Sequence, residues 1–136
     1  MKYISLVHAL NLPCQLETCG DWHTSALQWQ KPHILESDNS LWQAYGIEQQ
    51  KRIPEHQEYY NVANHIRALL DLLYVGNFST AQGMNEDFIC NQKYDNEIFE
   101  KVLMMKDLTH WNKIDEFMTK EYLGKWVKFK CRKGIK

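Results

Sequence analysis

The stretch "PCQLETCGDWH", residues 13–23, holds the residue types that could do chemistry: Cys14, Cys19 and His23, spaced Cys-x4-Cys-x3-His. Thiolates and imidazoles are zinc ligands, and a cysteine beside a histidine can form a nucleophile pair. A tetrahedral zinc wants four ligands, usually as two close pairs. A fourth would have to come from His8, His33, Cys90 or Cys131, and nothing in the spacing selects among them. Gly20-Asp21 between these residues is a hairpin-turn signal, because glycine accepts the positive φ of a tight turn. In such a hairpin Thr18 faces His23 and Cys19 faces Trp22. Strand side chains alternate, so Cys19 and His23 point to opposite faces and share no ion. No metal is expected here, and the cysteines are expected to be structural thiols.

Asp21, Trp22 and His23 sit at a turn, where functional groups gather. Cys14 or Cys19 could act with His23. Yet no nucleophile elbow, phosphate loop, H-E-x-x-H or deaminase pattern accompanies them, and no cofactor motif is present. Asn64-His65 forms a second polar spot within an apolar segment, where a buried, hydrogen-bonded histidine is the expectation. Glu86-Asp87 reads as a solvated acidic pair.

Charge offers a third lead. The chain carries net −1, but residues 91–136 hold eleven basic and seven acidic groups. Its close, "YLGKWVKFKCRKGIK", has six basic residues and no acidic one, with Tyr122, Trp126 and Phe129 interleaved. Lys125, Lys128, Lys130, Arg132 and Lys133 are therefore candidate anion or nucleic-acid contacts, with the rings as stacking platforms. The competing expectation makes Trp126 and Phe129 core residues and the lysines partners of a helix C-terminus.

These residues need elements to position them. Hydrophobic residues make up 44% of the 136, as in an ordinary globular chain, so neither disorder nor a fibrous repeat is the expectation. No linker divides the sequence, and one domain over 1–136 is expected. Residues 2–11 read as a short helix ended by Pro13. Short strands are expected through 13–53, including His33–Glu36 and an edge strand over Gly46–Ile53. From Glu58 to Tyr74 the spacing turns helical, with Tyr59, Ala63, Ile66, Leu70 and Leu73 in one stripe, Arg67 and Asp71 paired, and Gly76-Asn77 as the stop. Further helices are expected over 79–84, 96–106 and 110–129. The order predicts an α+β fold, a small antiparallel sheet in the N-terminal third covered by three to four C-terminal helices.

The N-terminus lacks the small residues of a cleavage site, since Leu12-Pro13 precede Cys14. A cytoplasmic protein with four reduced cysteines and no membrane span is expected. The function expected is a small non-catalytic protein-interaction module of antitoxin, immunity or adaptor type, supported by size and by many Trp and Tyr. The alternatives are a small enzyme using the Asp21/His23 turn or a nucleic-acid-binding protein using the basic end.

Overall fold

A computed structural model describes residues 1–135. The fold is α+β: a four-stranded sheet in the N-terminal half, then helices to the C-terminus. The strands are β1 (Lys2–Ile4), β2 (Ile34–Glu36), β3 (Ile47–Lys51) and β4 (Tyr60–Ala63), ordered β2-β1-β4-β3. β1 pairs antiparallel with β2, and β3 antiparallel with β4, but β1 and β4 run parallel. The sheet is therefore mixed, and β3 lies at its edge as its alternating polar residues predict.

Several expectations change, the purely antiparallel sheet among them, since β1 and β4 run parallel. The first residues form β1 before the short helix α1 (Leu6–Leu10), because Tyr3 and Ile4 fill the sheet core. The hairpin around Gly20 is absent, and residues 13–23 cross the surface without strand structure. The long helix begins later than its stripe suggests. Val62 and Ala63 belong to β4 and are buried there, while Tyr59 is exposed. Asn64 then starts α2 (His65–Val75) by accepting the Arg67 backbone N–H at 2.9 Å, an ordinary N-cap.

α2 is the centre of the molecule. Every residue from His65 to Leu73 is buried. One side packs Ile66, Leu69, Leu70 and Leu73 against the helical half; another puts Ala68 into the sheet core with Ile4, Val62 and Trp29. Gly76 ends it in the left-handed region at φ +82°, where a side chain would be strained. The helical half comprises α3 (Phe78–Ala81), a π-helical turn over Met84–Ile89, α4 (Asp95–Leu103), α5 (Trp111–Tyr122) and α6 (Gly124–Arg132). The expected 110–129 helix is broken at Leu123, whose φ of +55° no continuous helix allows. Ile98, Phe99, Val102, Met105, Ile114, Met118, Tyr122 and Trp126 are all buried, the stripes their spacing predicts. No helix among the described residues is long and apolar enough to cross a membrane.

The expectation of four reduced thiols is overturned at one pair. Cys19 and Cys90 form a disulfide, with Cα atoms 6.1 Å apart and a sequence separation of 71. It ties the surface segment to the end of the π-helical turn. Closing so long a loop in the unfolded chain should contribute roughly 2–4 kcal/mol. The intact mass under non-reducing conditions, without alkylation, should therefore be lower by one pair of hydrogens than that of the reduced protein, and reduction should lower its melting temperature. Four free thiols by mass would contradict the pairing.

Candidate functional site

The 13–23 segment is neither a metal knuckle nor a hairpin. It is a turn pinned from several sides. Cys19 is held covalently by Cys90, and the Cys19 and Gly20 N–H groups donate to the Phe88 carbonyl at 3.0 and 2.8 Å. The Asp21 N–H donates to the Leu10 carbonyl at 2.9 Å. The buried Asn11 accepts the His23 N–H at 2.8 Å, and the Thr24 hydroxyl donates to the Asn11 carbonyl at 2.8 Å. The His23 Nδ1–H donates to the Asp21 carboxylate. Gly20 is required on two grounds. Its φ is +68°, and a Cβ there would lie 2.6 Å from Cε1 of the His65 ring.

At the tip of this pinned turn stands Trp22, 83% exposed. The other four tryptophans are buried or half-buried. A large aromatic side chain held open to water on a rigid turn contributes nothing to the core.

Behind the turn lies a cleft of about 230 Å³, lined by Leu12, Cys14, Thr18, Asp21, Trp22 and His65 among others. The structure brings Cys14 to His65, not to His23. His65 sits at the first position of α2, and its ring is buried. Its Nε2 lies 2.6 Å from the Leu12 carbonyl, which can only accept, so Nε2 carries the proton. In the neutral ring Nδ1 is then the acceptor, and the Thr18 hydroxyl 2.7 Å away donates to it. The Thr18 oxygen is left to accept from the Cys14 thiol, 3.5 Å away. Burial pushes the Cys14 thiol up, but the hydrogen bonds from His65 and Thr18 outweigh it and bring the thiol down to about 7. Burial pulls His65 down, and its contact with Cys14 more than restores it, leaving the ring above its ordinary value. The expectation of a satisfied, buried His65 is met; its cysteine partner was not foreseen, because residues 14 and 65 meet only through the fold.

A metal has no site here. Cys19 is consumed by its disulfide, and no group of three or more His, Cys, Asp or Glu among the described residues could hold an ion. Asp21 lines the cleft, while His23, paired with it, is mostly exposed.

The basic end is largely spoken for. Lys130 is buried and donates to Asp115 at 2.7 Å, Lys133 pairs with Glu100 at 2.7 Å, and Lys125 with Asp95 at 3.4 Å. Lys128 and Arg132 make no ion pair among the described residues and border a shallow cleft with Lys93 and Lys125. Tyr122, Trp126 and Phe129 are buried, so none is a free stacking platform.

The chain matches no protein-family model, and no curated protein or solved structure is significantly similar to it.

Proposed function

We propose that this chain is a small non-catalytic protein-interaction module of the antitoxin, immunity or adaptor kind, with Trp22 as its anchor. The observation that carries the reading is the 83% exposure of Trp22 on a turn held by a disulfide and four backbone hydrogen bonds. Tryptophan is enriched among the few residues that dominate binding energy. A turn that is already rigid loses little freedom when a partner closes over it. The module's partner is a protein with an apolar pocket that accepts an indole, and the neighbouring Asp21–His23 pair supplies a polar rim.

Cytoplasmic reductants keep most thiols reduced, so that compartment and the Cys19–Cys90 bond make opposite demands. Acid-quenched extraction from the native host, with mass analysis of this pair, decides between them.

The test of function is Trp22→Ala. Because the indole touches so little of its own chain, melting should stay within about 0.5 kcal/mol of the parent. Capture of a stoichiometric protein from the native host should be lost, since removal of a central anchor costs about 2 kcal/mol or more. Nucleic acid that co-purifies and leaves at high salt, with Trp22→Ala binding it like the parent, would favour the basic-end reading instead.

A further inference from the structure

We propose that Cys14 is an activated thiol with His65 as its base, and that the cleft they share is a thiolation site for small, uncharged or cationic disulfides. The inference is independent of the partner reading, because it concerns the chemistry of one side chain and needs no second protein.

The geometry is a directed chain. The Cys14 S–H points to the Thr18 oxygen at 3.5 Å, the Thr18 O–H to His65 Nδ1 at 2.7 Å, and the His65 Nε2–H to the Leu12 carbonyl at 2.6 Å. The last bond fixes the tautomer, so the basic nitrogen faces the thiol side, as the orienting group of a nucleophile–base pair must. A proton passing along the chain leaves a thiolate and an imidazolium whose two N–H groups are both satisfied. His65 is also the first residue of the eleven-residue α2, where the partial positive charge of the helix end favours an anion. Low-pKa thiols arise in such surroundings.

The charged groups around the thiol come from every element against it. His65 lies on α2 and Asp21 on the pinned turn; from β3, Glu48 Oε2 accepts the Gln15 N–H at 2.7 Å, and Lys51 Nζ donates to the Pro13 carbonyl at 3.1 Å. Glu48 reinforces the charge on His65. Asp21 at the mouth repels anionic reagents, which sets the preference for uncharged or cationic ones. Cys14 is half-buried, so the cleft admits a small molecule more readily than a protein surface.

The small disulfide is itself the oxidant, so the step balances: Cys14 is oxidised and the departing sulfur is reduced. The Cys14 thiol gives its proton through Thr18 to His65. The sulfur attacks one sulfur of the small disulfide, the S–S bond breaks, and the departing thiolate takes the proton from His65. The products are a Cys14 mixed disulfide and one free small thiol.

The experiment uses the whole chain with its Cys19–Cys90 bond intact and Cys131, an exposed free thiol, as internal comparison. Iodoacetamide is followed at each cysteine by peptide mass over roughly pH 6–9, a span bracketing the ordinary thiol range. Cys14 should titrate with a midpoint of about 7. In His65→Gln the midpoint should rise by about one unit or more. Should that variant not fold, Thr18→Val breaks the chain and should raise the midpoint, with Thr18→Ser restoring it. Hydroxyethyl disulfide should place its reducible adduct on Cys14 ahead of Cys131. A Cys14 midpoint in the ordinary range, one unmoved by these variants, an adduct on Cys131 alone, or a Cys14–Cys19 bond in place of the adduct would each overturn the proposal.

Discussion

Arg67→Ala should cost about 3–5 kcal/mol and leave little folded protein, because it strips the only cation from a closed polar network. Arg67 is fully buried on α2. Its Nε donates to Asp71 Oδ1 at 3.1 Å, one terminal nitrogen to the Gln43 and Tyr45 carbonyls at 2.7 and 2.6 Å, and the other to the Tyr3 and Ser40 hydroxyls at 3.0 Å each. Asp71 in turn accepts from the Tyr3 and Ser5 hydroxyls at 2.7 and 2.6 Å. The guanidinium also lies over the Tyr3 and Trp42 rings, at 4.9 and 5.5 Å. Removing it leaves a buried carboxylate without its counter-charge and two carbonyls without donors, which is far costlier than losing the pair as a unit. Arg67→Lys should recover little, because one ammonium cannot serve five acceptors spread around a planar fork. Asp71→Leu placed on top of Arg67→Met should recover stability relative to Arg67→Met alone. Denaturant unfolding of these four variants measures this, and an Arg67→Ala protein that unfolds like the parent would contradict it.

Trp126→Ala should cost about 3–5 kcal/mol, the range for deleting a large aromatic core side chain. Trp126 is fully buried on α6, stacked on Phe129 at 5.9 Å and edge-on to Phe99 at 5.4 Å. Its indole N–H donates to Asp115 Oδ1 at 2.8 Å, the oxygen that also receives Lys130. The substitution therefore opens a cavity and removes a donor from a half-buried ion pair together. A fall in melting temperature of roughly 10–20 °C is expected for a chain of this size. By contrast, Lys128→Gln should leave melting nearly unchanged, because surface substitutions typically stay within about 0.5 kcal/mol. A Trp126→Ala protein that melts like the parent would return the aromatic residues of the basic end to the role of a binding surface.

The contrast between these two positions shows what a sequence can and cannot carry. Trp126 was legible as core because it continues the spacing of Ile114, Met118 and Tyr122, and periodicity survives even where Leu123 breaks the helix. The Arg67–Asp71 pair was legible because helical neighbours four apart must meet. Its other partners come from β1 and from the loop before β3, and no local rule joins them. The start of α2 was misplaced because Tyr59 and Ala63 happen to fit a helical stripe, although Tyr59-Tyr60-Asn61-Val62 also has strand composition and Asn64 is a good N-cap. Gly20-Asp21 carried a hairpin signal, but the disulfide and the Phe88 and Leu10 carbonyls claimed the backbone groups that a hairpin would have used. Cys14, Thr18 and His65 form a chain because the pinned turn lies across the first turn of α2, and that juxtaposition exists only in three dimensions.

The central claim is that Trp22 is the anchor for a protein partner, and the most direct measurement is beside that side chain. A photo-crosslinking residue, p-benzoylphenylalanine, would replace His23 in the native host, a mostly exposed neighbour that leaves the Trp22 indole in place. Irradiation should produce one discrete protein adduct that nuclease does not alter, and Trp22→Ala in the same chain should abolish it. The same residue in place of Tyr59, another exposed aromatic outside the turn, should give none. No adduct at position 23, one that survives Trp22→Ala, or one that nuclease removes would contradict Trp22 as the anchor.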